Sequence, residues 1–286
     1  MSYTFKPDQM YRMPTHFGPS TGPRRGPEGR TFLCKDNPKS TAIHVSFLSN
    51  GKQLEALLPP GFRLHGDPVV TVFGVYMKEI EWLAGRGYNV LGVTIPAKFT
   101  GDKETAVGPF LTVLWENLAD PIITGREELG FSKIYCELPE ISVLRDSASS
   151  QASWLGFKFL DINVSNLKPR TEPSPSAEVD GQLHYKYMPR TGEWGTADSQ
   201  YAVITPTGKS NAVVQEDLVG DGSLCWTPAR WEDLPTFYQA VNAFAELEIK
   251  EFLGGSLTRS VGGLSLIHIS EPTRRTPISY AVFCLK

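Results

Sequence analysis

Apolar and polar residues alternate in short runs along most of the chain, the two-residue period of β-strands. Thr41–Leu48 (TAIHVSFL) alternates, and Val69–Met77 (VVTVFGVYM) is so rich in β-formers that it predicts a strand buried on both faces. Val90–Ile95 and Phe110–Trp115 predict two more. Trp154–Asn166 reads as one long strand, with Phe157, Phe159, Ile162 and Val164 alternating against Lys158, Asp161 and Asn163. The slip at Leu160 predicts a bulge. Leu183–Tyr187, Tyr201–Thr205 and Asn211–Gln215 alternate again, the last two flanking PTGKS, which suits a hairpin turn. Leu247–Leu253 is also strand-like. Helical spacing is confined to two places. Asn50 is placed to cap a short helix with Leu54, Leu57 and Leu58 as its apolar face, stopped by Pro59 and Pro60. Within Pro235–Ala245, Phe237, Val241 and Phe244 recur at helical intervals, with Pro235 near the start. These elements predict a mostly β chain, a β-rich α+β fold with a few short helices and about ten short strands suited to a barrel. Residues 1–38, rich in Pro, Gly and Arg, predict an extended arm. Residues 39–263 predict one domain, with Lys168–Gly181 as a surface loop.

The 286 residues are enough to bury a core without disulfide or metal staples. A formal net charge of −3 argues against a nucleic-acid partner, which needs a basic face. No run approaches the ~20 apolar residues of a membrane span. Residues 264–286, LSLIHISEPTRRTPISYAVFCLK, resemble a translated sequencing-library adapter and are expected to be non-native. The competing reading is a strand built on Ile267, Ile269, Ile278 and Val282. Cys34, Cys136 and Cys225 lie far apart without C-x-x-C spacing, which suggests neither a disulfide framework nor a zinc site. The opening MSYTFKPDQMYRM has no apolar signal core, so a reducing, cytoplasmic setting is expected.

No G-x-S-x-G elbow or H-E-x-x-H motif is present. Gly208, Lys209 and Ser210 lack the upstream glycine of a phosphate loop, Val203 standing in its place. His16, His44, His65 and His184 are scattered, and neither metal nor cofactor is expected. Chemistry concentrates in Asp120–Glu140, DPIITGREELGFSKIYCELPE. Thr124 and Glu127 have capping-box spacing, so TGREELG predicts a helical turn closed by Gly130. Beyond it, Phe131, Ile134 and Tyr135 surround Lys133. Most lysines are solvated. An amine amid apolar groups is nevertheless what imine chemistry requires, because burial disfavours the ammonium and frees a lone pair to attack a carbonyl.

The run GREELGFSK resembles the G-R-E-x-x-G-[FY]-P-K signature of the acetoacetate decarboxylase superfamily. The arm YRMPTHFGPSTGPR, the segment LEALLPPGF, the triplet Trp115–Asn117 and the run LPTFYQAVNAFAELEI are similar to longer members of that superfamily. The resemblance implies a cone-like antiparallel β-barrel, usually a homo-oligomer. It also implies a lysine inside the barrel, here Lys133, that forms a Schiff base with a small keto acid.

Several positions depart from that pattern. The decarboxylase proper has a second lysine directly after the first, and here that residue is Ile134. Ser132 replaces the signature proline, and Val90 falls where the family has an active-site glutamate. The family's substrate-side arginine has no secure match, with Lys39, Arg25 and Arg30 near its place. These losses leave three readings: decarboxylation of a keto acid, aldol or dehydratase chemistry on a 2-oxo acid by the same imine, or a catalytically silent barrel that binds a small molecule. Arg126 suits a substrate carboxylate through a bidentate guanidinium, and equally suits an ion pair with Glu127 or Glu128. Glu116 and Glu127 are candidates to shuttle protons, or plain solvated carboxylates.

Overall fold

The predicted alternation becomes one large sheet. The computed structural model describes residues 4–23, 25–172, 178–206 and 210–263, and the backbone of 283–285. In chain order the strands are β1 (Lys39–Leu48), β2 (Phe62–Leu64), β3 (Val69–Ile80), β4 (Arg86–Thr100), β5 (Thr105–Glu116), β6 (Lys133–Tyr135) and β7 (Ser142–Leu144). There follow β8 (Ser147–Trp154), β9 (Phe157–Pro169), β10 (Gly181–Pro189), β11 (Ala197–Pro206), β12 (Val213–Trp226), β13 (Glu251–Val261) and β14 (Phe283–Leu285). The helices are α1 (Gly51–Glu55), α2 (Ala119–Thr124), which widens into a π turn over Gly125–Leu129, and α3 (Tyr238–Ala245). None of the helices among the described residues is long and apolar enough to cross a membrane.

Strand order is β14-β11-β10-β5-β4-β3-β1-β13-β12-β9-β8-β7, with β2 added on β4 and β6 on β5. The expected mostly β architecture is present, but the sheet is mixed and does not close. The outer edge of β5 is divided between two partners. β10 meets it in parallel at Phe110, and β6 meets it in parallel over Leu114–Glu116. No single long strand is left to complete a cylinder. Beyond β6, an isolated antiparallel bridge joins Glu137 to Ser153 of β8 and tacks the two flanks together. The sheet curls around its core all the same. Trp115 of β5 lies 5.6 Å from Phe159 of β9 and 6.0 Å from Trp226 of β12, strands remote from it in the ladder. Phe244 of α3 stacks on Trp226 at 5.2 Å and closes this aromatic centre.

Local signals hold where they rest on neighbouring residues. Asn50 caps α1 by accepting from the Lys52 N–H at 3.0 Å. A register shift opposite Leu160 marks the predicted bulge. Four readings are corrected. β3 buries one face, and its other face is only partly covered, because that face fronts a smaller cluster. Trp154–Asn166 is a hairpin rather than one strand: Leu155 and Gly156 both take positive φ, 46° and 87°, and turn the chain between β8 and β9. Tyr201–Thr205 and Asn211–Gln215 do not form a hairpin, since β11 pairs with β10 while β12 pairs with β9 and β13. Thr124 is no N-cap; it sits inside the helical segment, which begins at Ala119, and its hydroxyl donates back to the Asp120 carbonyl at 3.0 Å. The segment 264–286 lies outside the described residues, apart from the backbone of β14, which pairs with β11.

Candidate active site

Strand β6 places the lysine. Lys133 lies opposite Leu114 and Ile134 opposite Trp115 on parallel β5. Alternation sends the two neighbours to opposite faces. Ile134 joins Trp115 in the main core. Lys133 points to the other face, where Val90, Leu111 and Leu114 form a smaller apolar cluster with Tyr88, Met77 and Phe131 against it. The lysine thus sits outside the main core, where a barrel-interior residue had been expected. A lysine at position 134 would point away from the Lys133 amine, so the isoleucine there removes no neighbour from it.

Lys133 is 6 % exposed. Its Nζ donates to the Pro121 carbonyl at 3.1 Å and lies 2.8 Å from Glu116 Oε1. The Phe131 ring lies 5.6 Å away. The aliphatic stem runs against Gly125, where a Cβ would sit 2.3 Å from Lys133 Cε. The first glycine of GREELGFSK is therefore a close-approach glycine. The same turn ends as predicted at Gly130, φ 79°, and the Phe131 N–H donates to the Gly125 carbonyl at 2.9 Å. The amine borders a cavity of about 90 Å³ walled by Met77, Trp82 and Tyr88, by Thr124 and Leu129, and by Cys34 from the arm.

Glu116 has no exposed surface. Burial raises its pKa, and the Lys133 charge opposes the rise. The 2.8 Å contact is short but off the direction of a good hydrogen bond, so neither carboxylate oxygen has a well-aligned donor among the described residues. A charged pair at this depth sets Coulomb attraction against the desolvation of two ions. Moving one proton from Nζ to the carboxylate makes both groups neutral and exposes a lone pair on nitrogen. Burial, then the nearby Glu116 charge, holds the Tyr88 phenol well above its usual range. Burial pushes the Cys34 thiol up to about 11, with Glu81 adding to it. Asn117 fixes the end of β5: its Oδ1 accepts from the Asn89 N–H at 2.8 Å and its Nδ2 donates to the Leu138 carbonyl at 3.3 Å. In the triplet Trp115–Asn117, one residue packs the core, one faces the lysine and one anchors the strand. Val90 lies directly across from Glu116 on β4, so the carboxylate stands one strand away from the position that lost it.

The structure brings together only two of the four predicted site residues, Lys133 and Glu116. Arg126 lines a second cavity, and its Nη1 donates to the Lys133 backbone carbonyl at 2.9 Å. Neither sequence reading anticipated that bond. Glu127 offers its backbone carbonyl to Lys186 Nζ at 2.6 Å and does not line the lysine cavity. Glu128 pairs with Arg12 of the arm at 2.7 Å. Arg12 also donates to Thr124 Oγ1 at 2.9 Å, which pins the arm beside the cavity. A contact across 112 residues leaves no periodic trace, so sequence reasoning had no signal for it. Lys39, a candidate for the missing arginine, instead pairs with Glu79 at the surface.

Known proteins agree with this architecture. The chain is similar to a structure described as acetoacetate decarboxylase, with TM-score 0.62 and 14% identity over 87% of this chain and 89% of that one. It resembles the acetoacetate decarboxylase of Legionella pneumophila subsp. pneumophila str. Philadelphia 1, TM-score 0.58 and 18% identity over 83% and 91%. It also resembles the enduracididine biosynthesis enzyme MppR complexed with pyruvate, TM-score 0.58 and 15% identity over 83% and 91%. No curated protein sequence matches it. These identities establish shared fold, whereas the sequence profile of acetoacetate decarboxylase matches residues 12–268, most of the chain. The protein belongs to the acetoacetate decarboxylase family and is a decarboxylase-like carbon–carbon lyase.

Proposed function

We propose that this enzyme forms a Schiff base between Lys133 and a small keto acid and releases carbon dioxide from it. The observation that carries the reading is the buried Lys133 amine, 2.8 Å from a fully buried Glu116, at the edge of a small cavity. The cavity, about 90 Å³, is walled mainly by apolar groups, which suits a small ligand over a bulky one. Glu116 takes a proton from Nζ. The nitrogen lone pair bonds to the ketone carbon, and the carbonyl oxygen leaves as water after receiving two protons. The resulting iminium accepts the electron pair of the carbon–carboxylate bond as carbon dioxide departs. The enamine carbon then takes up a proton, and water hydrolyses the imine and restores Lys133. Arg126 lies on the opposite face of β6, so in this reading it holds the lysine's backbone and not the substrate. A carboxylate among Met77, Trp82 and Leu129 is poorly solvated, which favours its loss as neutral carbon dioxide.

Aldol or dehydratase action on a 2-oxo acid is the second reading. It is favoured by the same Glu116, a buried base close enough to the imine to remove a proton from the adjacent carbon. Borohydride trapping tests both. Incubation with acetoacetate or pyruvate is expected to leave a reduced adduct on the peptide bearing Lys133. Carbon dioxide from acetoacetate alone selects decarboxylation; a condensation product from pyruvate and an aldehyde selects the alternative. No adduct with any keto acid leaves a small-molecule-binding protein.

A further inference from the structure

Strand β6 separates two cavities. Lys133 faces the first, and Ile134 lines the second, which has a volume of about 270 Å³. We propose that the second cavity binds a monocarboxylate with a flat apolar body, held by Arg126 and Ser132, and that its occupation alters the setting of Lys133. Arg126 makes one hydrogen bond, to the Lys133 carbonyl, and no ion pair among the described residues. Its partly buried guanidinium therefore lines a cavity with its charge unmatched. Ser132 lines the same cavity. Neither its hydroxyl nor its N–H is hydrogen bonded within the described protein, although its carbonyl accepts from the Leu114 N–H at 3.0 Å. The proline of the family signature would supply neither donor. Guanidinium, hydroxyl and amide are all donors, the complement of a carboxylate's acceptor oxygens.

The remaining walls select the body of the ligand. Phe131, Ile134, Tyr185 and Phe237 are flat or apolar. Lys186 also borders the cavity, but its amine is engaged with the Glu127 carbonyl at 2.6 Å, and the Glu127 and Glu128 carboxylates act on it. Those two negative charges oppose a dianion, so a phosphate monoester is disfavoured. Coupling follows from the geometry. A carboxylate bound at Arg126 shares with the Lys133 carbonyl the guanidinium that holds that backbone, and Ser132 is the residue before Lys133 in the chain.

Benzoate is a suitable probe, with benzyl alcohol and inorganic phosphate as controls. Calorimetry is expected to show benzoate binding to the full chain, with neither control binding. Arg126→Gln should weaken it about tenfold or more, the value of a charge-assisted hydrogen bond. Ser132→Pro, which restores the signature residue, should weaken it several-fold. Lys133→Met keeps the backbone carbonyl that Arg126 holds, so benzoate should still bind, its affinity shifted by no more than about fivefold, the size of that coupling. Should Arg126→Gln melt below the assay temperature, Ser132→Pro and a truncation of the cavity-lining Tyr187, Tyr187→Ala, carry the same test. Unchanged affinity in the cavity variants, or its loss in Lys133→Met, would overturn the site. The coupling rests on the imine reading: saturating benzoate should change the rate of borohydride trapping at Lys133 by about fivefold or more, the effect of a coupling near 1 kcal/mol. Benzoate binding with an unchanged trapping rate refutes the coupling, while no trapping under any condition refutes the imine and leaves the calorimetric result standing.

Discussion

Glu116 and Gly125 both lie against the Lys133 side chain. Glu116→Gln keeps the volume and removes the proton acceptor. Trapping at Lys133 should slow by about a hundredfold or more, within the range of a lost general base. An equal rate in the variant would show that the amine is deprotonated by another route. Gly125→Ala places a methyl against the Lys133 stem, 2.3 Å from Cε. Overpacking of this kind costs about 1–3 kcal/mol. A lowered urea midpoint together with slower trapping is expected, because the stem cannot shift without carrying Nζ away from Glu116. A variant as stable and as reactive as the parent would show that the stem has room to move. Both glycine and lysine were visible in GREELGFSK. That Glu116 meets Lys133 was hidden, because nothing in the spacing of residues 116 and 133 says that parallel strands will set them side by side.

Elements are held in place by packing that spans the chain. Trp115 joins β5 to β9, β12 and α3 through contacts with Phe159, Trp226 and Phe244. Trp115→Ala should cost about 3–5 kcal/mol in equilibrium unfolding. A smaller loss would mean that the aromatic centre closes over the gap. The same substitution disturbs the strand that carries Glu116, so trapping should fall with stability. Strand identity was legible because alternation is a property of neighbouring residues. The hairpin at Leu155 and Gly156 was hidden because hydrophobic residues continue on both sides of it and only one glycine marks the turn. Strand partners were not legible either. β11 and β12 adjoin in sequence, yet each finds its ladder with strands far from the other.

The whole molecule carries a titration that follows from its folding. His184 is fully buried on β10, stacked on Phe131 at 4.2 Å between ring centres. Its Nδ1 lies 3.0 Å from the Gly130 carbonyl and so carries the proton; its Nε2, 3.3 Å from Thr205 Oγ1, accepts. Burial lowers its pKa from 6.5 to about 4, against the Gly130 bond and aided by the Lys133 charge. The unfolded chain takes up this proton near pH 6.5 and the folded chain only near pH 4. Unfolding therefore gains a proton in that window, and stability falls as pH drops through it. The loss is on the order of 3 kcal/mol, with no contribution above pH 6.5. Urea midpoints at pH 7.5 and 4.5 should differ more for the parent than for His184→Gln. Parallel pH profiles would place the acid sensitivity elsewhere.

Residues 39–263 announced a β-rich chain, a capped helix at Asn50 and a lysine in a signature turn. Each of these depends on side chains within a few positions of one another, so periodicity and motif spacing reveal them. Folding alone decided that Lys133 turns away from the main core, that Glu116 meets it and that Arg126 serves the opposite face of β6. It also decided that Arg12 closes on Glu128 and that the sheet stays open. Those outcomes depend on which distant surfaces bury most apolar area together while leaving the fewest polar groups without partners, a balance summed over the entire chain.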